Sequence, residues 1–225
     1  MNADDLTLGA IDRDGAVGEA FAAVHGQTRA AFLVGAALGG AGLLASLVAP
    51  RAADAASSDT AILNYALSLE ELQAAFYSEV ERIGSLSGPL ATQARVVGGH
   101  ERAHVRALRD VLGSRAAKRA HFDFRGATED AERFRRTAVA FEDLAVGAYK
   151  AQAPRVRDAK LLASVLAIHS VEARHAAWIR RLAKVPPAAN AFDDPLDRGR
   201  VLGIVADTHF VVKTTSRRRK PRLTG

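Results

Sequence analysis

One short stretch of the chain carries three residues that could bind a metal ion. Residues 96–108, VVGGHERAHVRAL, contain His100, Glu101 and His104 in an H-E-x-x-H pattern. On a helix this pattern is typical of zinc proteases, in which both histidines bind zinc and the glutamate acts as general base. The same letters contain Glu101-x-x-His104, which is half of a carboxylate site for two metal ions. The two interpretations give Glu101 opposite roles, so the rest of the chain must decide between them.

The chain repeats its glutamates, histidines and tyrosines at a nearly constant offset. Each landmark in the first half recurs 71 or 72 residues later, and the local contexts agree, as in LEELQAAFY against FEDLAVGAY. The paired landmarks are Glu70, Tyr77, Glu101 and His104, and then Glu142, Tyr149, Glu172 and His175. A constant offset across several landmarks indicates an internal duplication. The second copy has Val171 in place of His100, so the shared motif is E-x-x-H, and His100 becomes a bystander.

Four amphipathic helices are expected to carry these landmarks. Apolar residues recur at spacings of three, four and seven over about 59–84, 89–113, 130–152 and 157–184. Asp59 is a plausible N-cap of the first helix, Thr128 or Asp130 of the third, and Gly113 ends the second. The fold class is therefore all-α, an antiparallel four-helix bundle built from two duplicated helix–loop–helix halves.

The repeated carboxylates and imidazoles lie on the apolar faces of these helices. Glu101 and His104, for example, share a stripe with Val97, Leu108 and Val111, because residues three, four and seven apart lie on one face. Unpaired buried carboxylates would cost several kcal/mol each, and no Lys or Arg lies on these stripes to neutralise them. Two divalent cations would neutralise them. The chain has no Cys, so the ligands must be carboxylates and imidazoles, which suit Fe, Mn or Zn.

At these residues the chain resembles the ferritin-like domain family that includes desiccation-related proteins. The similarity runs from about Thr60 to Ala183 and extends to the PPAANAFDDPL run that follows. It implies a centre of two Fe ions, or alternatively two Mn ions, with Glu101 and Glu172 bridging the metals. Glu70, Glu142, His104 and His175 would be terminal ligands. Relatives often carry a further Glu where this chain has Gln73.

The aromatic landmarks leave two interpretations open. Tyr77 and Tyr149 are either ordinary core residues or hydrogen-bond donors to a ligand carboxylate, with Gln73 also near the ligands.

The first 55 residues predict a leader rather than part of the bundle. Residues 30–49 form a twenty-residue run without a charge, followed by Ala53-Asp54-Ala55, which fits a cleavage site. The preceding TRAAFL resembles the core of a twin-arginine signal, with Thr28 where the first arginine would stand. We expect an exported protein, in the periplasm, cell envelope or medium. The alternatives are a membrane anchor and, more distantly, a buried apolar helix.

The end of the chain is strongly basic. The formal net charge is +6, and the last fourteen residues alone carry six Lys or Arg and no acid. We divide the chain into the leader (1–55), the bundle (56–184) and an extended C-terminal segment with a basic tail (185–225). The tail could contact an anionic envelope surface; for an exported protein, nucleic acid is the least expected partner. The bundle could also form a homo-oligomer.

Three functions are compatible with the sequence. The first is an exported di-metal protein that reacts with O2 or H2O2 as a ferroxidase, peroxidase or catalase in stress protection. The second is a metal-poor bundle that protects the cell envelope without catalysis. The third is an H-E-x-x-H zinc hydrolase, which leaves the matching Glu172 and His175 unexplained.

Overall fold

The computed structural model describes residues 52–212, with side chains described from Ser58 onward. The apolar run 30–49, the TRAAFL motif and the basic tail at 213–225 lie outside the described residues. Export, anchoring and the role of the tail therefore stay predictions, as do the domain boundaries. Between residues 52 and 212, no helix is long and apolar enough to cross a membrane.

Four long helices form the bundle, which confirms the predicted fold class. They are α1 (Ala52–Ile83), α2 (Gly88–Leu112), α3 (Ala131–Gln152) and α4 (Ala159–Leu182). Short links join α1 to α2 and α3 to α4, so each pair is an antiparallel hairpin. The two hairpins meet where α2 contacts α4 and α1 contacts α3. The halves that the sequence repeats are thus the two hairpins of the bundle.

Asp130 and Gly113 set helix ends as the sequence predicts, and Asp158 caps a further helix that was given no cap in the prediction. The side chain of Asp130 accepts the backbone N–H groups of the first turn of α3, and Asp158 does the same for α4. These bonds satisfy donors that have no partner within the helix. Gly113 follows α2 with φ of +55°, a conformation that favours glycine.

The start of α1 differs from the prediction. The helix begins at Ala52, so Asp59 lies within it and is not its N-cap. Asp59 is instead buried, and its carboxylate accepts the backbone N–H groups of Arg157 and Asp158 at 3.0 and 2.9 Å. The alanine-rich stretch before Asp59 favours helix, which explains the earlier start. Asp59 thus secures the link into α4, a role that only the tertiary structure shows.

Two apolar clusters form most of the core, one on each side of the middle of the bundle. Each of the four helices contributes residues to both clusters. The aromatic cluster is centred on Phe76, Phe134 and Phe141, with Phe76 and Phe134 stacked at 5.3 Å. The aliphatic cluster contains Leu63, Leu67, Leu108, Leu112, Val165 and Ile168. Burying one such side chain contributes about 1.5–3 kcal/mol, so the two clusters hold the four helices together on either side of the segment between them. The sequence pattern placed Val111 on the buried stripe of α2, but Val111 is 43% exposed and its neighbour Leu112 is buried instead.

The C-terminal segment contains a fifth helix that the sequence analysis did not predict. This helix, α5 (Arg198–Asp207), buries Val201 in a small cluster with Tyr65 and Leu69 of α1 and Leu144 of α3. After it, β2 (Val211–Val212) pairs antiparallel with β1 (His121–Phe122) in the link between α2 and α3. The segment between α4 and α5 has no helix or strand, and α5 itself packs against α1 and α3.

Candidate metal centre

Six predicted ligand residues converge in the middle of the bundle. Each of them lies on its helix between residues of the aromatic cluster and residues of the aliphatic cluster. They are Glu70 on α1, Glu101 and His104 on α2, Glu142 on α3, and Glu172 and His175 on α4. All four glutamates are 0% exposed. The structure therefore places four carboxylates in the driest part of the core.

The ligand atoms form two groups that share two glutamates. One group contains Glu70, Glu101, His104 and Glu172, and the other contains Glu101, Glu142, Glu172 and His175. Within each group the atoms lie within 4.8 Å of one another, close enough to hold a metal ion. Because Glu101 and Glu172 belong to both groups, the cluster is able to hold two ions side by side.

The contacts around the two histidines mirror each other across the two halves. His104 Nδ1 lies 3.2 Å from Glu172 Oε1, and His175 Nδ1 lies 3.1 Å from Glu101 Oε1. Each histidine also lies 3.7 Å from the glutamate of its own E-x-x-H motif. The sequence duplication is thus repeated in three dimensions, with each half contributing ligand atoms to both groups.

Several ligand atoms are buried without a hydrogen-bond partner. Among the described residues these include both carboxylate oxygens of Glu101 and of Glu172, Oε2 of Glu142 and Nδ1 of His175. Leaving such groups unpaired in a dry core is costly. Arginines pair with other carboxylates instead: Arg109 with Glu71, and Arg180 with Asp143. The unsatisfied oxygens and nitrogen therefore fit metal ions, which would bind the lone pairs that no protein donor takes.

Each repeated tyrosine bonds to the glutamate of the opposite half. Tyr77 donates to Glu142 Oε1 and Tyr149 donates to Glu70 Oε1, both at 2.5 Å. Burial and the neighbouring carboxylates raise the pKa of both phenols well above the usual value. They therefore stay protonated donors at physiological pH. Of the two interpretations of these tyrosines, the structure favours donors that orient the glutamates Glu70 and Glu142.

Burial and mutual repulsion shift the carboxyl groups of the centre. Desolvation, followed by the charge of Glu70, raises the pKa of Glu101 and of Glu172 well above the usual value. Burial also acts to raise the pKa of Glu70, but hydrogen bonds from His104 and its other neighbours outweigh it and lower the pKa. Without metal, Glu101 and Glu172 thus retain protons that a cation would displace.

The pKa of His104 is also shifted. Burial alone would lower it, but the nearby carboxylates of Glu101, Glu172 and Glu70, at 3.7, 3.2 and 3.1 Å from its Nδ1, raise the pKa of His104 to about 12. In the metal-free protein His104 is therefore a cation that partly compensates the carboxylates. Binding a metal ion at this imidazole requires that its proton leave.

Two glutamines are buried on the helices that carry the first half of the ligand residues, and only Gln73 was singled out from the sequence. Gln73 on α1 and Gln93 on α2 are 2% and 0% exposed. The amide nitrogen of Gln73 and both amide atoms of Gln93 have no hydrogen-bond partner among the described residues. Gln93 lies two helical turns before Glu101 on the same buried stripe, which is the signal that could have identified it. The predicted role of Gln73 beside the ligands stays a prediction.

His100 is not a member of either ligand group, but it is more than a bystander. Its Nδ1 lies 2.9 Å from Nε2 of His175, on the side away from the carboxylates. A zinc-protease site would need His100 and His104 at one metal ion with Glu101 free to act as base. Glu101 instead lies in both ligand groups, so the geometry favours the E-x-x-H interpretation.

Comparison with known protein families agrees with this geometry. The family described as "Ferritin-like domain" matches residues 58–185, which cover α1 from Ser58 to the end of α4 and more than half of the chain. No curated protein matches the whole sequence or part of it. With the bundle, the duplicated hairpins and the buried Glu/His cluster in place, this match shows that the chain belongs to the ferritin-like domain family.

Proposed function

We propose that this protein binds two iron ions in its core and uses them to react with O2 or H2O2. The observation that carries the proposal is the set of buried, unpartnered oxygens and nitrogen in two groups that share Glu101 and Glu172. In this proposal Glu101 and Glu172, which belong to both groups, would help to hold both ions. Glu70 and His104 complete one position, and Glu142 and His175 complete the other.

Charge balance supports a pair of divalent cations. Four ionised carboxylates with two neutral imidazoles carry four negative charges, which two divalent ions neutralise within the bundle. Paired in this way, the charges no longer carry the penalty of isolated buried ions. Oxygen and nitrogen donors without sulfur suit iron, with manganese as the alternative. Two adjacent ferrous ions, when bound, supply the two electrons that reduce peroxide.

The residues around the centre have separate tasks in the proposed reaction. Tyr77 and Tyr149 hold Glu142 and Glu70 in fixed orientations by hydrogen bonds to one carboxylate oxygen each. The second oxygen of Glu142 has no hydrogen-bond partner among the described residues and is available as a ligand, whereas that of Glu70 lies 3.1 Å from His104 Nδ1 and would exchange this contact for a metal ion. The aromatic and aliphatic clusters keep bulk water from the centre on both sides. The His104 side chain is 13% exposed and that of His175 only 3%, so we expect small oxidants to enter on the side of His104.

The cellular setting of the proposal rests on the sequence. A leader and an uncharged run at 30–49 favour export, which would place the reaction in the cell envelope or outside the cell. Removal of iron or peroxide there would protect the cell under stress. A ferroxidase, peroxidase or catalase outcome is compatible with the same centre.

Metal analysis of the purified protein tests the proposal. We expect about two iron or manganese ions per chain, the number that ligand sets of this kind hold. Replacing Glu101 and His104 with alanine should abolish both binding and oxidant consumption. A matched double variant on exposed surface, Asp110→Ala/His121→Ala, should retain both, since neither residue contacts the centre.

One result would replace the proposal by the metal-poor alternative. If correctly folded wild-type protein takes up less than one iron or manganese ion per chain, the centre does not act as a di-metal site. A stress phenotype that the Glu101→Ala/His104→Ala variant leaves intact would then support a purely protective bundle.

A further inference from the structure

His100 breaks the correspondence between the two halves of the centre. Its Nδ1 lies 2.9 Å from Nε2 of His175, and the two rings are close to parallel, with centroids 5.2 Å apart. The residue at the same place in the second half is Val171, whose side chain cannot form a hydrogen bond. Between residues 58 and 212, the outer nitrogen of His104 accordingly has no hydrogen-bond partner. One proposed metal position therefore has a partner for its histidine that the other lacks.

The two nitrogens of His175 face different surroundings. Nδ1 points to the carboxylates, 3.1 Å from Glu101 and 3.6 Å from Glu142, and makes no hydrogen bond. Nε2 faces His100. A neutral imidazole has one N–H and one lone pair. If Nε2–H donates to His100 Nδ1, the lone pair of His175 lies on Nδ1, where the proposed metal ion would bind.

The inner nitrogen of His104 is engaged differently. Its Nδ1 forms a hydrogen bond with Glu70 Oε2 at 3.1 Å, and the side chain is more exposed than that of His175. Binding a metal ion there requires that this bond be broken first. The two positions thus start from unequal states although the same ligand types surround them.

We propose that His100 is a positioning residue that makes the two metal positions unequal. By accepting a hydrogen bond from His175 Nε2, it fixes the tautomer and ring orientation that present Nδ1 to the metal. The position formed by Glu142 and His175 then binds metal more tightly, and fills before the position formed by Glu70 and His104. The inference rests on the proposed function, because it assumes that both positions hold metal ions.

A cobalt titration of the metal-free protein tests this inference. We expect two Co(II) ions to bind the wild type with different affinities, measured by calorimetry and by the visible absorption of bound cobalt. His100→Val copies the residue of the second half and should weaken the tighter position by about 10–100-fold, the usual effect of losing such a partner. His100→Asn offers an amide oxygen in place of Nδ1 and should restore most of that affinity. His121→Val, an exposed histidine in β1, is the matched control.

Two further variants assign the effect to one position. In a His104→Ala background the remaining ion should be held at His175, so His100→Val should still weaken it. In a His175→Ala background His100→Val should have no further effect. The inference is overturned if His100→Val leaves both affinities unchanged, lowers them equally, or acts equally in the two backgrounds. Wild-type protein that binds two equivalent ions overturns the inference alone, whereas protein that binds no metal overturns the proposed function as well.

Discussion

At the scale of single residues, the centre depends on donors that hold its carboxylates in place. Tyr77 and Tyr149 belong to different hairpins, and each reaches across the bundle to a glutamate of the other. A phenol suits this position because its ring packs in an apolar core while its hydroxyl donates one hydrogen bond. The repeated Glu-x6-Tyr spacing is thus two reciprocal contacts rather than a contact within one helix.

Tyr77→Phe should weaken metal binding while leaving the bundle folded. The change removes one hydroxyl and leaves Glu142 Oε1 without its donor. We expect the affinity of the Glu142 position to fall by about tenfold, at the lower end for loss of a ligand's hydrogen-bond partner. A cobalt or iron titration of the metal-free variant measures the change, and Tyr149→Phe should have the same effect at the Glu70 position.

Tyr65 offers a matched control for both tyrosine variants. It is 4% exposed, and its hydroxyl has no hydrogen-bond partner among the described residues. Tyr65→Phe therefore removes a buried hydroxyl without removing a contact to a ligand, and metal affinity should not change. An equal loss of affinity in the three variants would contradict a specific role for Tyr77 and Tyr149.

At the scale of helices, one aspartate of the first hairpin secures the start of the second. Asp59 on α1 accepts two backbone N–H groups just before α4 begins. Asp59→Ala would leave both donors in a partly buried place, so we expect a loss of about 1–3 kcal/mol in the free energy of unfolding. Urea denaturation measures it. Asp110→Ala, at an exposed position of α2, should change stability by less than about 0.5 kcal/mol; a similar loss in both would contradict the prediction.

The four helices and the six converging residues could be predicted because their signals are periodic. A buried helix face follows from spacings of three and four, and the constant offset showed that Glu101, His104 and their counterparts belong together. The packing of α2 against α4 could not be predicted from periodicity, because it depends on how the two hairpins dock. The contact between His100 and His175 therefore went unpredicted.

The remaining differences have the same physical origin. Asp59 has the residue type of an N-cap, but local propensity continues the helix through it and its partners are about 100 residues away. Helix α5 is short and has only Val201 buried, so it lacks the broad apolar stripe that marked the bundle helices. Features set by a single long-range contact leave little trace in a local sequence pattern.

At the scale of the whole molecule, the polar centre makes the stability of the metal-free protein depend on pH. The pKa values of Glu101 and Glu172 are raised in the folded state, so the folded protein keeps protons that the unfolded chain releases above about pH 4.5. Stability from these groups is complete below that pH and is lost as pH rises. His104 acts in the same direction above pH 6.5, up to its folded pKa of about 12. Glu70, whose pKa is lowered, acts oppositely, but only as pH falls below its usual value of 4.5.

We therefore expect metal-free protein to become less stable between about pH 5.5 and 8.5, by up to about 1.4 kcal/mol per pH unit for each proton involved. Urea denaturation in the presence of a chelator measures this. With saturating metal the trend should weaken or reverse, because the cation replaces the protons. A chelated protein whose stability rises over this range would contradict the prediction.

The raised pKa values of Glu101 and Glu172 also imply that ionising the centre lowers the stability of the metal-free protein. Glutamine has the shape of a protonated glutamate and no charge, so Glu172→Gln should stabilise the metal-free protein at pH 8.5 by about 0.5–2 kcal/mol. The gain should vanish below about pH 4.5, where the folded and unfolded states of wild type both hold the proton. The variant should also lose the rise in melting temperature that metal gives the wild type.

Glu71→Gln is the contrasting change on α1, next to Glu70. Glu71 is also buried, but Arg109 already pairs with it. Its loss should therefore lower stability and leave the metal-induced rise in melting temperature in place. Melting temperatures of both variants, measured with and without metal, distinguish a carboxylate that binds a cation from one that forms a salt bridge. If Glu172→Gln instead destabilises the metal-free protein, as Glu71→Gln is expected to do, the prediction is wrong. The protein itself would then stabilise the charge of Glu172 without a metal ion.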